Sequence, residues 1–265
     1  MNMQIMNGKK GLIMGILNER SLSYAAAQSL HDNGAELIFS YPSENLKERV
    51  KKIAKNFNSD AIYECDVCKE EMISKLFEDI ANQHGKIDFI VHAIAFADKN
   101  ELAGDYLNTT YENFKNAMMI SCWSLTSVTK AALPILNEGS SILTFSYYGA
   151  NKVMPNYNVM GICKAALEAS VKYLSVDLGK RNIRINALSA GPMKTLASSG
   201  IENFKKILDW NQHNSPLRRN TTLKDIEGSS LFLLSDMSSG VTGEIMYVDS
   251  GYHVVGMKNP DYKEE

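Results

Sequence analysis

Tyr157 and Lys164 stand seven residues apart in a run that reads Tyr157-Asn158-Val159-Met160-Gly161-Ile162-Cys163-Lys164. A phenol titrating near pH ~10 is a poor acid and a poor anion stabiliser at neutral pH unless a cation and a dry setting tune it. Lys164 supplies that cation if both residues share a helix, because seven residues at about 3.6 per turn bring them within roughly 20° on one face. The same lysine could hydrogen-bond the ribose of a nicotinamide nucleotide, fixing a cofactor and biasing the local field together. Spacing alone serves an ordinary helix face equally well. A competing pair, Tyr148 and Lys152, is four residues apart, but Gly149 and Pro155 put it in a loop, where spacing fixes no common face. That pair is set aside.

A nucleotide needs a place for its phosphates, and the turn Gly15 to Leu22 offers one. Glycine at the end of an apolar run removes a side chain where a pyrophosphate must approach, and a helix beginning at Ser21 presents free N–H groups. Ser21 can cap that helix or donate its hydroxyl to phosphate. The G-x-G-x-x-G fingerprint is absent, so a plain strand-to-helix turn fits as well. The second apolar run ends Phe39-Ser40-Tyr41-Pro42-Ser43-Glu44, with no Arg or Lys following immediately, which favours NADH over NADPH. Lys47 and Arg49 read as a solvated helix face. Cys65-Asp66-Val67-Cys68 has a C-x-x-C spacing but no second pair and no His ligands at a metal-binding interval, so metal and redox roles are set aside. Asp66, at a strand tip, could accept a hydrogen bond from an adenine amino group.

The elements that must position these residues alternate along the chain. Strands are expected at 11–15, 35–41, 61–65, 87–93, 140–146, 183–188 and 244–248. Helices are expected at 21–33, 45–56, 69–84, 111–133, 157–180 and 223–235. Several strands are apolar throughout, as in a parallel sheet covered on both faces. The rhythm has no linker, charge block or repeat, and implies one α/β domain. The stretch 192–216 lacks a strand and carries one short amphipathic helix near 201–210; such an excursion beyond a strand end reads as a substrate lid.

With 265 residues, 45% hydrophobic and 22% charged, the chain has an ordinary globular composition, which excludes disordered and fibrous classes. The net charge of −2 gives no reason to expect nucleic acid or an anionic membrane as partner. Four scattered cysteines do not make a disulfide framework and fit a reducing compartment, the cytoplasm. Lys9 and Lys10 before Gly11 to Leu17 mimic a signal peptide, but the apolar run is short and reads as a buried strand.

Taken together, certain blocks carry a resemblance. They are Ser146-Tyr147-x-Gly149-Ala150, Pro155-Asn156-Tyr157-Asn158-Val159-Met160-Gly161, Lys164-Ala165-x-Leu167-Glu168, Ser189-Ala190-Gly191-Pro192-x-x-Thr195-Leu196-Ala197-x-Ser199-Gly200-Ile201 and Val248-Asp249-Ser250-Gly251. The chain resembles bacterial NADH-dependent enoyl-[acyl-carrier-protein] reductases, a branch of the short-chain dehydrogenase/reductase superfamily, over essentially its whole length. The resemblance implies a Rossmann-type, doubly wound sheet of seven parallel strands with helices on both faces. It also implies reduction of the double bond of a trans-2-enoyl thioester on acyl carrier protein, in a homotetramer.

By the same matching, Tyr157 stabilises charge on the thioester oxygen, Lys164 holds the ribose, and Tyr147 positions substrate or supplies a proton. Gly15, Ser21, Leu22, Pro42, Asp66, Val67, Ile94, Lys164, Met193, Lys194, Thr195, Leu196 and Ala197 line the dinucleotide site, and Ala97 faces the acyl chain. Pro42 stands where the family often has Gln, Ala95 where Gly is common, and Asp249-Ser250-Gly251 replaces Asp-Gly-Gly, an exchange expected to be harmless. Lys205 and Lys206 could attract the acidic carrier, or form a solvated helix face. A carbonyl-reducing relative is disfavoured because Gly161 occupies the fourth position after Tyr157. A dinucleotide sensor without turnover would have no chemical need for Tyr147, Tyr157 and Lys164 together.

Overall fold

The structure, a computed structural model, describes residues 4–99, 102–195 and 204–262. Seven strands form among them: Lys10–Met14 (β1), Glu36–Tyr41 (β2), Ile62–Glu64 (β3), Ile87–His92 (β4), Leu136–Ser146 (β5), Arg184–Ala190 (β6) and Ile245–Val248 (β7). They pair in parallel in the order β3-β2-β1-β4-β5-β6-β7, so the direction of winding reverses between β1 and β4. The run that mimicked a signal peptide is therefore a strand in the middle of the sheet.

The helices are Leu22–Asp32 (α1), Glu44–Lys55 (α2), Glu70–His84 (α3), Tyr111–Met118 (α4), Ser124–Ala132 (α5), Asn158–Gly179 (α6), Phe204–Asn214 (α7) and Leu223–Leu234 (α8). Strand residues alternate between two cores even where the run is wholly apolar. Ile13, Phe89 and Val91 pack with α1, α2 and α8 on one face. Leu12, Met14 and Ile90 pack with α3, α5 and α6 on the other. Burying each such side chain stabilises the fold by roughly 1.5–3 kcal/mol before entropy is set against it. The expected Rossmann-type sheet with helices on both faces is the one observed.

Three elements depart from expectation. Strand β5 begins at Leu136 rather than Ser140, and its pairing with β4 shifts register between Ile87 and Phe89. The single helix expected over 111–133 is split by a π-helical turn at Met119–Trp123. The helix expected from Tyr157 starts one residue later, at Asn158, with Tyr157 at its N-cap between Asn156 and Asn158, whose φ values of 60° and 39° lie in the left-handed region. The helix expected near 201–210 is α7; residues 196–203, including Leu196 and Ala197, lie outside the described residues.

Candidate functional site

In a parallel sheet every strand ends on the same edge, and a crevice opens where the winding reverses. Gly15 follows β1 at that point with φ 82°, and a β-carbon there would lie 2.0 Å from the carbonyl oxygen of Ala93 beyond β4. Glycine is required by this close approach of the two strand ends, not by a ligand alone. Ser21 takes the capping role: it accepts from Tyr24 N–H and donates to Asn18 O at 2.7 Å. The N–H groups of Leu22 and Ser23 then have no acceptor within the helix, and the first turn of α1 holds no acidic residue. An anion is the group such a terminus fits.

The other residues expected at the nucleotide lie along the same edge. Pro42 is exposed at the end of β2, and half-buried Val67 and Ile94 follow β3 and β4 on the α3 and α5 side. Oδ1 of Asp66 accepts from Cys68 N–H at 3.0 Å, and Oδ2 lies 3.8 Å from Lys69 Nζ, so the carboxylate shapes its own turn. Beyond β6, Met193 is half-buried, Lys194 exposed, and Thr195 N–H donates to Met193 O. Cys65 is buried, its thiol pushed up to about 12 mainly by burial, while Cys68 is exposed.

The tyrosines and Lys164 gather at the end of β5. Tyr147 directly follows the strand, and its ring meets Tyr157 at 5.0 Å between centroids. A β-carbon on Gly149 would lie 2.5 Å from Cδ1 of Tyr157, and one on Gly161 would lie 2.9 Å from Gly149 O. These two missing side chains let the loop bearing both tyrosines seat against α6. Tyr157 and Ala97 pack on one small apolar cluster with Leu102, Val159 and Met160. The shared helical face expected for Tyr157 and Lys164 is not how they are held, since Tyr157 lies in the turn before α6. Among the described residues no hydrogen bond joins them. Lys164, 7% exposed, donates from Nζ to Phe145 O at 2.7 Å.

Burial sets the electrostatics. It pulls Lys164 down to about 8, with Cys163, Cys122 and Glu168 opposing. Burial pushes both phenols well above the usual tyrosine range, Tyr157 further than Tyr147. Both therefore keep their protons, and each hydroxyl retains a proton it can donate. His92, fully buried at the end of β4, is pulled down to about 3 by burial and by Lys164, so it is neutral. Ser124 donates to Ile120 O in the π-helical turn and so accepts from His92 Nε2 at 2.8 Å.

Tyr148 donates its hydroxyl to His253 O and Lys152 is exposed, consistent with setting that pair aside. Sequence reasoning missed His92, and it gave no role to Glu168, which binds Ser146 and Asn151. It also missed Trp210 of α7, whose indole N–H donates to the Tyr252 hydroxyl at 2.9 Å. A periodic pattern assigns these side chains to core or surface and carries no sign of their partners.

Residues 15–253 match the family described as enoyl-(acyl carrier protein) reductase. The chain is 53% identical over 257 residues to the "Enoyl-[acyl-carrier-protein] reductase [NADH] 1" of Rhizobium meliloti, covering 97% of this chain and 94% of that protein. A Rickettsia felis enoyl-[acyl-carrier-protein] reductase [NADH] is 53% identical over 252 residues, 95% of this chain and 97% of that one. The crystal structure of the Anaplasma phagocytophilum enoyl-(acyl-carrier-protein) reductase in complex with NAD superposes with a TM-score of 0.94, at 51% identity and with 98% of each chain covered. With the reversal-point crevice, the two facing tyrosines and the buried lysine in place, these likenesses establish that the chain belongs to the enoyl-(acyl carrier protein) reductase family.

Proposed function

We propose that the protein reduces the trans-2 double bond of enoyl thioesters carried on acyl carrier protein, with NADH, in fatty-acid elongation. The observation that carries this reading is the convergence of Tyr147, Tyr157 and buried Lys164 at the end of β5, one strand from the crevice. The residues fit a dinucleotide: N–H groups of Leu22 and Ser23, without an acceptor among the described residues, suit its pyrophosphate, and Lys164, with one of three ammonium donors held by Phe145 O, suits its ribose. Gly15, Ser21, Pro42, Asp66, Val67, Ile94 and Met193 to Ala197 complete the lining. No Arg or Lys follows Pro42 immediately to meet a 2′-phosphate, which supports NADH over NADPH.

When bound, the reduced nicotinamide supplies hydride to the β-carbon of the substrate. Tyr157, protonated because burial raises its pKa, donates a hydrogen bond to the thioester oxygen and stabilises the negative charge that develops there. Lys164 adds positive potential to the same pocket. Tyr147, ring against ring with Tyr157, orients the substrate or supplies a proton. Ala97 lies along the acyl chain, on the apolar cluster that also seats Tyr157. Exposed Lys205 and Lys206 on α7 give an acidic carrier a first point of attraction. The 192–216 stretch serves as the lid over this pocket.

The protein acts as a homotetramer in the cytoplasm. Exposed Met119 and Trp123 on the π-helical turn, with Ile162, Tyr173 and Val176 on α6, support self-association, and four free thiols support a reducing compartment. Purified protein should oxidise NADH on addition of crotonyl thioester and leave acetoacetyl thioester untouched. The opposite preference would make it a carbonyl reductase. Sedimentation should give four copies per particle.

A further inference from the structure

Glu168 lies on α6 one turn beyond Lys164, is 6% exposed, and points back at the sheet. Its Oε1 accepts from the Ser146 hydroxyl at 2.6 Å and its Oε2 from the Asn151 amide at 3.2 Å. Both oxygens accept and neither donates, the pattern of an ionised carboxylate. The same Asn151 amide group reaches the Tyr247 hydroxyl of β7 at 3.0 Å. Ser146 immediately precedes Tyr147, and Asn151 closes the short turn Tyr148–Ala150. One side chain thus grips both ends of the loop that presents Tyr147 and, through Gly149, seats the Tyr157 ring.

Lys164 and Glu168 also act as a pair. Four residues apart on one face of α6, they hold consecutive residues at the end of β5, Lys164 through Phe145 O and Glu168 through Ser146. We propose that Glu168 is a positioning residue for the reductase reaction, bracing the loop of the two tyrosines from beneath and standing as a negative charge one helical turn from Lys164. This deepens the reductase reading and rests on it for its kinetic part. A buried carboxylate is costly unless paired and hydrogen-bonded, and here each oxygen has a partner and a lysine stands one turn away. The groups facing Lys164 are Cys163 and Glu168 of α6, Cys122 of the π-helical turn and His92 of β4. Those facing Glu168 from elsewhere are Tyr157 and, from β7, Tyr247. With His92 neutral and the Cys163 thiol pushed up by burial, Glu168 is the one carboxylate among them.

The test is Glu168→Gln, which keeps the shape and removes the charge, beside Asn151→Ala, which removes one tie and keeps the charge. In the crotonyl thioester assay Glu168→Gln should lower kcat about 10- to 100-fold with the KM for NADH within about threefold, since misplacing a catalytic group costs that much. Carbon-13 NMR of lysine side chains in the ligand-free protein should show Lys164 titrating lower than in the wild type, because loss of a nearby negative charge favours its neutral form. Asn151→Ala should lower kcat by a smaller factor and leave the Lys164 titration in place. A folded Glu168→Gln protein with wild-type kcat, or with Lys164 titrating where it did before, overturns the proposal. If Glu168→Gln does not fold, Asn151→Ala decides it: reduced kcat at unchanged KM supports the brace, and unchanged kcat refutes it. A wild type inert toward crotonyl thioester refutes the reductase reading instead, and the lysine titration then still judges the Glu168–Lys164 pairing.

Discussion

The rings of Tyr147 and Tyr157 meet edge to face, 5.0 Å between centroids with their planes at 76°. Nine residues of chain lie between them, and neither lies in a helix or strand, so the contact is made by the loop between. Aromatic pairs in this arrangement contribute about 0.5–1.5 kcal/mol beyond their burial, enough to hold two side chains in one orientation.

Tyr157→Phe keeps that ring pair and removes only the hydroxyl. Turnover with crotonyl thioester should fall by about 10²- to 10³-fold, the usual cost of one oxyanion donor. Affinity for NADH, measured by fluorescence titration, should stay near the wild-type value, and a variant with unaltered turnover would remove Tyr157 from the chemistry.

Gly149→Ala tests the seat of the ring. The added methyl would lie 2.5 Å from Cδ1 of Tyr157 and 3.2 Å from Cδ1 of Tyr147, so one ring must move. We expect a loss of turnover of about 10-fold or more from a displaced donor, with the melting temperature lowered by only a few degrees and the far-UV circular dichroism unchanged.

Lys164→Met should weaken NADH binding and, near neutral pH, stabilise the ligand-free fold. Burial holds the folded lysine down to about 8, below its ordinary value, so the unfolded chain binds more protons at alkaline pH. Wild-type stability should therefore rise relative to the variant as pH increases from about 8 toward the ordinary lysine pKa of about 10.4. Below that window both states carry the charge and the full cost of burying it is felt. Urea titrations of both proteins at pH 7 and pH 9.5 measure the difference, which a lysine left in water would not show.

Ser250 takes φ 60°, and its hydroxyl is buried with no partner among the described residues. The exchange expected to be harmless thus carries both backbone strain and an orphaned polar group. Ser250→Gly relieves both and should raise stability by about 1–2 kcal/mol, read as a higher melting temperature at unchanged kcat.

The strands were legible because burial on both sheet faces demands long apolar runs, and Leu12, Ile13 and Met14 supply one. The start of β5 was not, because Asn137, Glu138 and Gly139 look like a turn while still lying within the strand. The π-helical turn at Met119–Trp123 leaves no trace in a 3.6-residue pattern that resumes after it. At the site, Tyr147, Tyr157 and Lys164 were identified by type and likeness, but the means of holding them was not. Two asparagines in left-handed conformations, two glycines under the rings and one buried glutamate do that, and each depends on contacts between distant parts of the chain.

Helix α7 is fastened to the chain beyond β7 at several points: Trp210 to Tyr252, Asp209 to the Tyr262 hydroxyl, and Asn214 to the backbone of Asn259. Two segments knotted together this way must come loose as one cooperative unit. Amide protons of 204–214 and of 252–262 should accordingly exchange with deuterated solvent at matched protection, apart from the slower amides of β1 and β4.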